Sequence, residues 1–261
     1  MANRPLALVT GASAGIGRAL ALGLARRGHD LILTARRSVE LEALAAECAG
    51  VTCHVIISDL ADPDGPRRLL DEIAQRGLQV DVFINNAGLG VYGPFIEADP
   101  DRLQTMLRVN VLALTDLARR ILPGMVQRGQ GRVMNVASTA AFQPGPLMAA
   151  YYASKAYVLS LSEAMSYELR GTGVTVTCLC PGPTRTEFGQ VAAMGESKLF
   201  DGPGVMEAGP VAEAGLDGMF RGRRVVIPGF ANRTTAFMTR FAPKSLIMRV
   251  VERVQARKNP H

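Results

Sequence analysis

Seven short apolar runs recur along the chain, and segments of helical period separate them. Leu6 to Thr10, Asp30 to Thr34, Val51 to Ile57, Val80 to Asn85, Arg132 to Ala137, Val174 to Leu179 and Arg224 to Ile227 read as strands. Most are nearly continuously apolar, the pattern of strands buried on both faces. Helices are predicted over Gly15 to Arg27, from an N-cap at Ser38 through Glu47, after Asp62-Pro63, from Asp99-Pro100 past Asn110, and over Ala149 to Arg170. Strand–helix alternation implies crossover connections. The fold class predicted is therefore α/β: a doubly wound parallel sheet of about seven strands with helices on both faces.

The 261 residues suffice for one such domain spanning 1–261. No run of eighteen apolar residues occurs, so no membrane-spanning helix is expected. Pro5 to Val9 is apolar but runs into a glycine loop without a cleavage site, so the expectation is no signal peptide and a cytoplasmic location. Cys48, Cys53, Cys178 and Cys180 form no CxxC pair, and His29, His54 and His261 lack ligand spacing, so no metal site is predicted. The net charge of +6 resides wholly beyond Gly229, where seven basic residues face one acid. A nucleic-acid-binding body would itself be basic, so no nucleic-acid partner is expected. The stretch 183–210, rich in Gly and Pro, reads as a substrate lid loop.

The first strand ends in a glycine cluster, Gly11-Ala12-Ser13-Ala14-Gly15-Ile16-Gly17, and a helix follows at once. Glycines there let a pyrophosphate approach unpaired N–H groups at the helix N-terminus, the signature of a Rossmann-type dinucleotide site. An acid near the end of the second strand would hold a ribose 2′-hydroxyl. Here the sequence is Thr34-Ala35-Arg36-Arg37, with no acid from Leu31 to Val39. Arginine binds a 2′-phosphate through charge-assisted hydrogen bonds, so the predicted cofactor is NADP(H), with Arg36 the main contact and Arg37 assisting.

Further motifs fall at consistent places. Gly-x-x-x-Gly-x-Gly, Asn85-Asn86-Ala87-Gly88 after the fourth strand, Ser138 after the fifth, Tyr151-x-x-x-Lys155 on the following helix and Pro181-Gly182 after the sixth occur in order. Together they resemble the classical short-chain dehydrogenase/reductase family. The resemblance spans residues 10 to 182, and no family motif lies beyond Pro183. It implies a catalytic set of Asn110, Ser138, Tyr151 and Lys155. It also implies that Asp59 lies near the adenine, that Asn86, Ala87 and Gly88 line the cofactor cleft, and that Pro181 and Gly182 lie at its nicotinamide end.

The residue types suggest the chemistry. An unperturbed tyrosine has a pKa of about 10, and a lysine ammonium one helical turn away should lower it. Tyr151 would then donate a proton to a carbonyl oxygen in reduction, with Ser138 holding the same oxygen. By the resemblance, Lys155 also holds the nicotinamide ribose and Asn110 supports a water relay. Tyr152 points elsewhere and receives no catalytic role.

Loops near Ser138 and Asn86 predict a substrate wall of Leu89, Tyr92, Phe142, Gln143, Met148 and, from the lid, Phe188. This mostly apolar set, without an arginine clamp, suggests a hydrophobic ketone or secondary alcohol of ketoacyl, steroid or aryl type. The alternative is a non-catalytic NADP-binding sensor or scaffold. The helices from Asp99 and Ala149 resemble those the family uses to dimerise, implying a homo-oligomer, dimer or tetramer. The basic, amphipathic tail 230–261 has two readings. It packs on the domain and covers the cleft, or it rests on an anionic membrane; packing is preferred, because surface helices normally carry such a stripe.

Overall fold

The computed structural model describes residues 4–192 and 204–256. Its strands are β1 (Leu6–Thr10), β2 (Asp30–Ala35), β3 (Cys53–Ile57), β4 (Val82–Asn85), β5 (Gly131–Val136), β6 (Val174–Leu179), β7 (Thr184–Arg185), β8 (Met206–Glu207) and β9 (Val225–Val226). Its helices are α1 (Gly15–Arg26), α2 (Ser38–Glu47), α3 (Gly65–Gln75), α4 (Pro100–Leu107), α5 (Leu114–Gln127), α6 (Ala149–Glu168), α7 (Phe188–Val191), α8 (Ala208–Phe220), α9 (Phe230–Met238) and α10 (Lys244–Gln255).

Seven strands form one parallel sheet in the order β3-β2-β1-β4-β5-β6-β9, and β7 pairs with β8 apart from it. Alternate side chains of β1 serve the two layers. Ala7 and Val9 pack with α1, α2 and α8, whereas Leu6 and Leu8 pack with α3, α5 and α6. This is why the central strands read as unbroken apolar runs. The connections leave β1 and β4 in opposite directions, although the two strands are neighbours in register. A crevice therefore opens beyond their carboxyl ends, where ligands bind in such sheets.

Several helix starts differ from the prediction. Ser38 is the first residue of α2 rather than its cap, and makes no capping bond. Asp62-Pro63 precedes α3 as a turn, and Pro66 fills the first-turn position instead. Asp99 does cap α4, accepting from the Asp101 and Arg102 amides at 2.9 and 3.4 Å. Between α4 and α5, Arg108–Ala113 widens into a π-helical segment that carries Asn110. Of the stretch 183–210 read as a lid loop, β7, α7, β8 and the start of α8 at Ala208 are described, and residues 193–203 lie outside the described residues.

The tail divides its apolar residues. Ile247 and Val251 of α10 join a cluster with Met148, Tyr152 and Ala192, while Phe237, Phe241, Val250 and Val254 remain exposed. Among the described residues, no helix is long and apolar enough to cross a membrane.

Candidate active site

One cleft of about 410 Å³ runs along the carboxyl ends of β1, β2, β4, β5 and β6. At its glycine end the main chain forms the wall. Gly11 and Gly15 have φ of 64° and 55°, the left-handed region that favours glycine. A Cβ added to Gly17 would lie 2.2 Å from the Gly11 carbonyl oxygen and 2.4 Å from Asn86 Nδ2. The Asn86 turn is bound to this loop. Thr10 Oγ1 accepts from the Asn86 and Ala87 amides at 2.9 and 3.1 Å, and Asn86 Nδ2 donates to the Thr10 carbonyl at 2.9 Å. The first turn of α1 has neither a side-chain cap nor an acid. Open glycine backbone at an uncapped helix N-terminus fits a dinucleotide pyrophosphate.

Arg36 and Arg37 both reach this cleft, but they are not equivalent. Arg37 ion-pairs with Glu187 at 3.0 Å and Glu40 at 3.4 Å, and donates to Ser13 Oγ at 3.3 Å. Arg36 is exposed and makes no hydrogen bond or ion pair among the described residues. Asp59 lines the cleft, and its carboxylate accepts from the Ala61 amide at 2.9 Å, so it also shapes its own turn.

At the other end, β5 and α6 bring the polar residues together. Ser138 follows β5, accepts from the Ala140 amide at 3.1 Å and donates to the Pro181 carbonyl at 3.4 Å, close enough to Tyr151 to oppose the rise of its pKa. Lys155, one turn beyond Tyr151, donates from Nζ to the Val136 carbonyl at 2.9 Å and lies 5.8 Å from the Tyr151 ring centre. Asn110 is fully buried. Its Oδ1 accepts from the Leu89 amide at 2.8 Å, and its Nδ2 donates to the Leu89 carbonyl at 2.9 Å and Ser154 Oγ at 3.1 Å. Pro181 and Gly182 close this end. A Cβ on Gly88 would lie 3.4 Å from both Asn110 Oδ1 and Lys155 Nζ, so the Gly88 backbone passes beside both groups.

Burial governs the protonation of this cluster. It pushes the Tyr151 phenol well above its ordinary value, against the opposing hydrogen bond from Ser138. It pulls the Lys155 ammonium down to about 8. The expected lowering of Tyr151 by Lys155 does not prevail: desolvation wins, and the opposing effect comes from Ser138.

The substrate end matches the prediction unevenly. Leu89, Met148 and Phe188 line the cleft, and the Phe188 ring lies 5.4 Å from that of Tyr151. Phe142 does not face it. The short turn Thr139–Phe142 carries that ring into a core cluster with Val158, Cys178 and Cys180. Gln143 also lies outside the lining residues. Tyr92 packs instead under the tail, and its hydroxyl donates to the Gln255 carbonyl at 2.8 Å. Gln255 Nε2 in turn donates to the buried Tyr152 hydroxyl. Val109, Ala140, Thr186 and Glu187 line the cleft without having been foreseen. Only the position of Val109 beside Asn110 offered a signal.

Comparison with known proteins agrees with this geometry. The short chain dehydrogenase family model matches residues 5–196. A sulfoacetaldehyde reductase of Chromohalobacter salexigens is 37% identical over 213 residues, covering 78% of this chain and 84% of that one. A short-chain dehydrogenase from Sphingobium yanoikuyae, solved in complex with NADPH, superposes with a TM-score of 0.81 at 34% identity, covering 97% of this chain and 99% of that one. A bulky-bulky ketone specific alcohol dehydrogenase from Comamonas testosteroni gives 0.77 at 31% identity, covering 94% of each chain. With the sheet order, the glycine cradle and the Ser–Tyr–Lys cluster in agreement with that match, this chain is a member of the short-chain dehydrogenase family of oxidoreductases.

Proposed function

We propose that the protein is an NADP(H)-dependent reductase of bulky, apolar ketones, working also in reverse on the secondary alcohols. The observation that carries this reading is the grouping of Ser138, Tyr151 and Lys155 along one cleft, with Lys155 Nζ 5.8 Å from the Tyr151 ring centre and the glycine cradle at the other end. The dinucleotide, when bound, supplies the hydride. Gly11 to Gly17 would hold its pyrophosphate, Arg36 with Arg37 its 2′-phosphate, and Lys155 its nicotinamide ribose.

Burial keeps the Tyr151 proton on, which suits an acid poised to protonate a developing alkoxide. Ser138 orients the carbonyl oxygen toward that hydroxyl. Lys155, with its value near 8, remains charged at neutral pH and stabilises the phenolate left after donation. Asn110 clamps the Leu89 backbone and keeps the floor of this end rigid.

The apolar ketone is favoured over a small anionic aldehyde by the lining. Among the described residues, the cleft's cations are Arg36 and Arg37 at the glycine end and Lys155 within the polar cluster. None serves a sulfonate or carboxylate beside Leu89, Met148 and Phe188. The bulky-ketone specificity of the Comamonas testosteroni relative points the same way. The exposed Leu112 and Tyr157 of the Asp99-to-Gln127 and α6 faces suit assembly with a second copy.

A panel of ketones and aldehydes followed by NADPH absorbance tests this reading. Turnover should be fastest with ketones carrying two large apolar groups, and slower with NADH. Tight NADPH binding with no turnover on the whole panel would favour a sensor or scaffold. Preference for anionic aldehydes would refute the substrate class.

A further inference from the structure

The C-terminal helices present a surface that the reaction does not use. α10 carries two apolar stripes. Ile247, Val251 and Gln255, spaced four apart, face the protein and are buried. Leu246, Val250 and Val254, each one residue earlier, form a second stripe that stays exposed. Helical geometry sets Arg249 and Arg253 along the outer border of this second stripe.

α9 repeats the arrangement. Asn232 and Ala236 turn inward, whereas Phe230, Phe237 and, in the turn that follows, Phe241 turn outward. Phe230 is 81% and Phe241 70% exposed, and the Phe237 and Phe241 rings stack tilted at 5.2 Å. Arg233, Arg240 and Lys244 interleave with them, and Glu252 is the only acid between residues 230 and 256.

A surface helix ordinarily commits its apolar stripe to the protein and turns charge to water. Here one stripe is committed and another remains, and contiguous exposed aromatics of this kind mark interaction surfaces. The charge selects the partner. A second copy brought up by a two-fold axis would set five cations against five, which disfavours self-association through this face. Exposed phenylalanines bordered by cations complement an anionic headgroup layer above acyl chains.

We infer that α9 and α10 dock the protein peripherally on an anionic membrane surface. The phenylalanines enter the headgroup–acyl boundary and the arginines pair with lipid phosphates. The inner face of α10 holds Gln255 on Tyr152, which lines the cleft, so the docked face adjoins the apolar end of the cleft. A lipid-dissolved substrate would then have a short path to Tyr151. The surface itself does not depend on which carbonyl is reduced.

Flotation of the full-length protein with phosphatidylcholine vesicles, with and without phosphatidylglycerol, tests the inference. Binding is expected only with phosphatidylglycerol, and should weaken as salt is raised. Each basic residue contributes about fivefold near such a surface, so Arg249→Ala/Arg253→Ala should bind about 25-fold more weakly. Phe237→Ser/Phe241→Ser should lose vesicle binding while keeping its circular dichroism and its turnover of a water-soluble ketone. Equal binding to neutral vesicles, no binding at all, or variants that bind like wild type would overturn the inference. So would a wild-type dimer, seen by light scattering, that Phe237→Ser/Phe241→Ser converts to monomer, because a second copy would then cover the patch.

Discussion

At the glycine end of the cleft, backbone atoms make the binding surface; at the other end, side chains such as Phe188, Tyr151 and Tyr152 make it. Gly11, Gly15 and Gly17 leave room that any Cβ would fill, and the Asn86 turn is bound to Thr10, just before them, by three hydrogen bonds of 2.9 to 3.1 Å. The far wall depends on Phe188 against Tyr151 and on Gln255 against Tyr152. A backbone wall admits one shape and one ligand class. A side-chain wall can be rebuilt by a few substitutions, which is how one fold comes to serve different carbonyls. The two ends should therefore fail differently when altered.

Substitution at the glycine end should be the more drastic. Gly17→Val forces a Cβ against the Gly11 carbonyl and Asn86. Calorimetry should find no NADPH binding, and thermal melts should show a loss of at least ~1–3 kcal/mol from overpacking. Retained binding would show that the cradle is not the nucleotide site. Between the two ends, Lys155 should leave a signature in stability against pH. Its value is depressed from 10.5 to about 8, so between those limits the unfolded chain holds more protons and stability rises with pH. The full shift corresponds to roughly 3 kcal/mol. Urea unfolding of wild type and Lys155→Met from pH 7 to 10 should show the wild type gaining on the variant; parallel curves would contradict the burial of a charged lysine. Arg36→Ala should weaken NADPH by about 1.5–3 kcal/mol and leave NADH unchanged. Equal affinity of the wild type for both cofactors would remove Arg36 from the 2′-phosphate role. At the substrate end, Gln255→Ala should cost about 1–3 kcal/mol by breaking a buried hydrogen bond. It should raise KM for the ketone with kcat little changed, whereas a lowered kcat at constant KM would place Gln255 in the chemistry.

The same contrast explains what could be read from the sequence. The strand positions, the parallel sheet and the Tyr–Lys spacing were legible because backbone constraints leave marks: glycine where φ is positive, apolar runs where both faces are buried, Tyr and Lys one turn apart. The substrate wall leaves no such mark. Phe142 stands four residues after Ser138, close enough to suggest the cleft, but the turn Thr139–Phe142 rotates it into the core. Tyr92 is apolar and near the Asn86 turn, yet its hydroxyl is committed to α10, a contact 163 residues away. The preference for Arg36 over Arg37 has a structural reason that no sequence spacing carries: Glu187, Glu40 and Ser13 hold Arg37 and leave Arg36 open to the cleft. The tail pattern was ambiguous because α10 carries two apolar stripes, and a one-dimensional spacing does not say which of them packs.

The central claim is that Tyr151 is the proton donor, and comparison of Tyr151→Phe with Tyr152→Phe on a bulky ketone tests it most directly. The rate of NADPH oxidation should fall at least ~10²-fold in Tyr151→Phe, the scale of general acid–base catalysis, with NADPH affinity unchanged. Tyr152→Phe, which loses only the hydroxyl that accepts from Gln255, should keep most of its kcat. Comparable turnover in Tyr151→Phe and wild type would contradict the account.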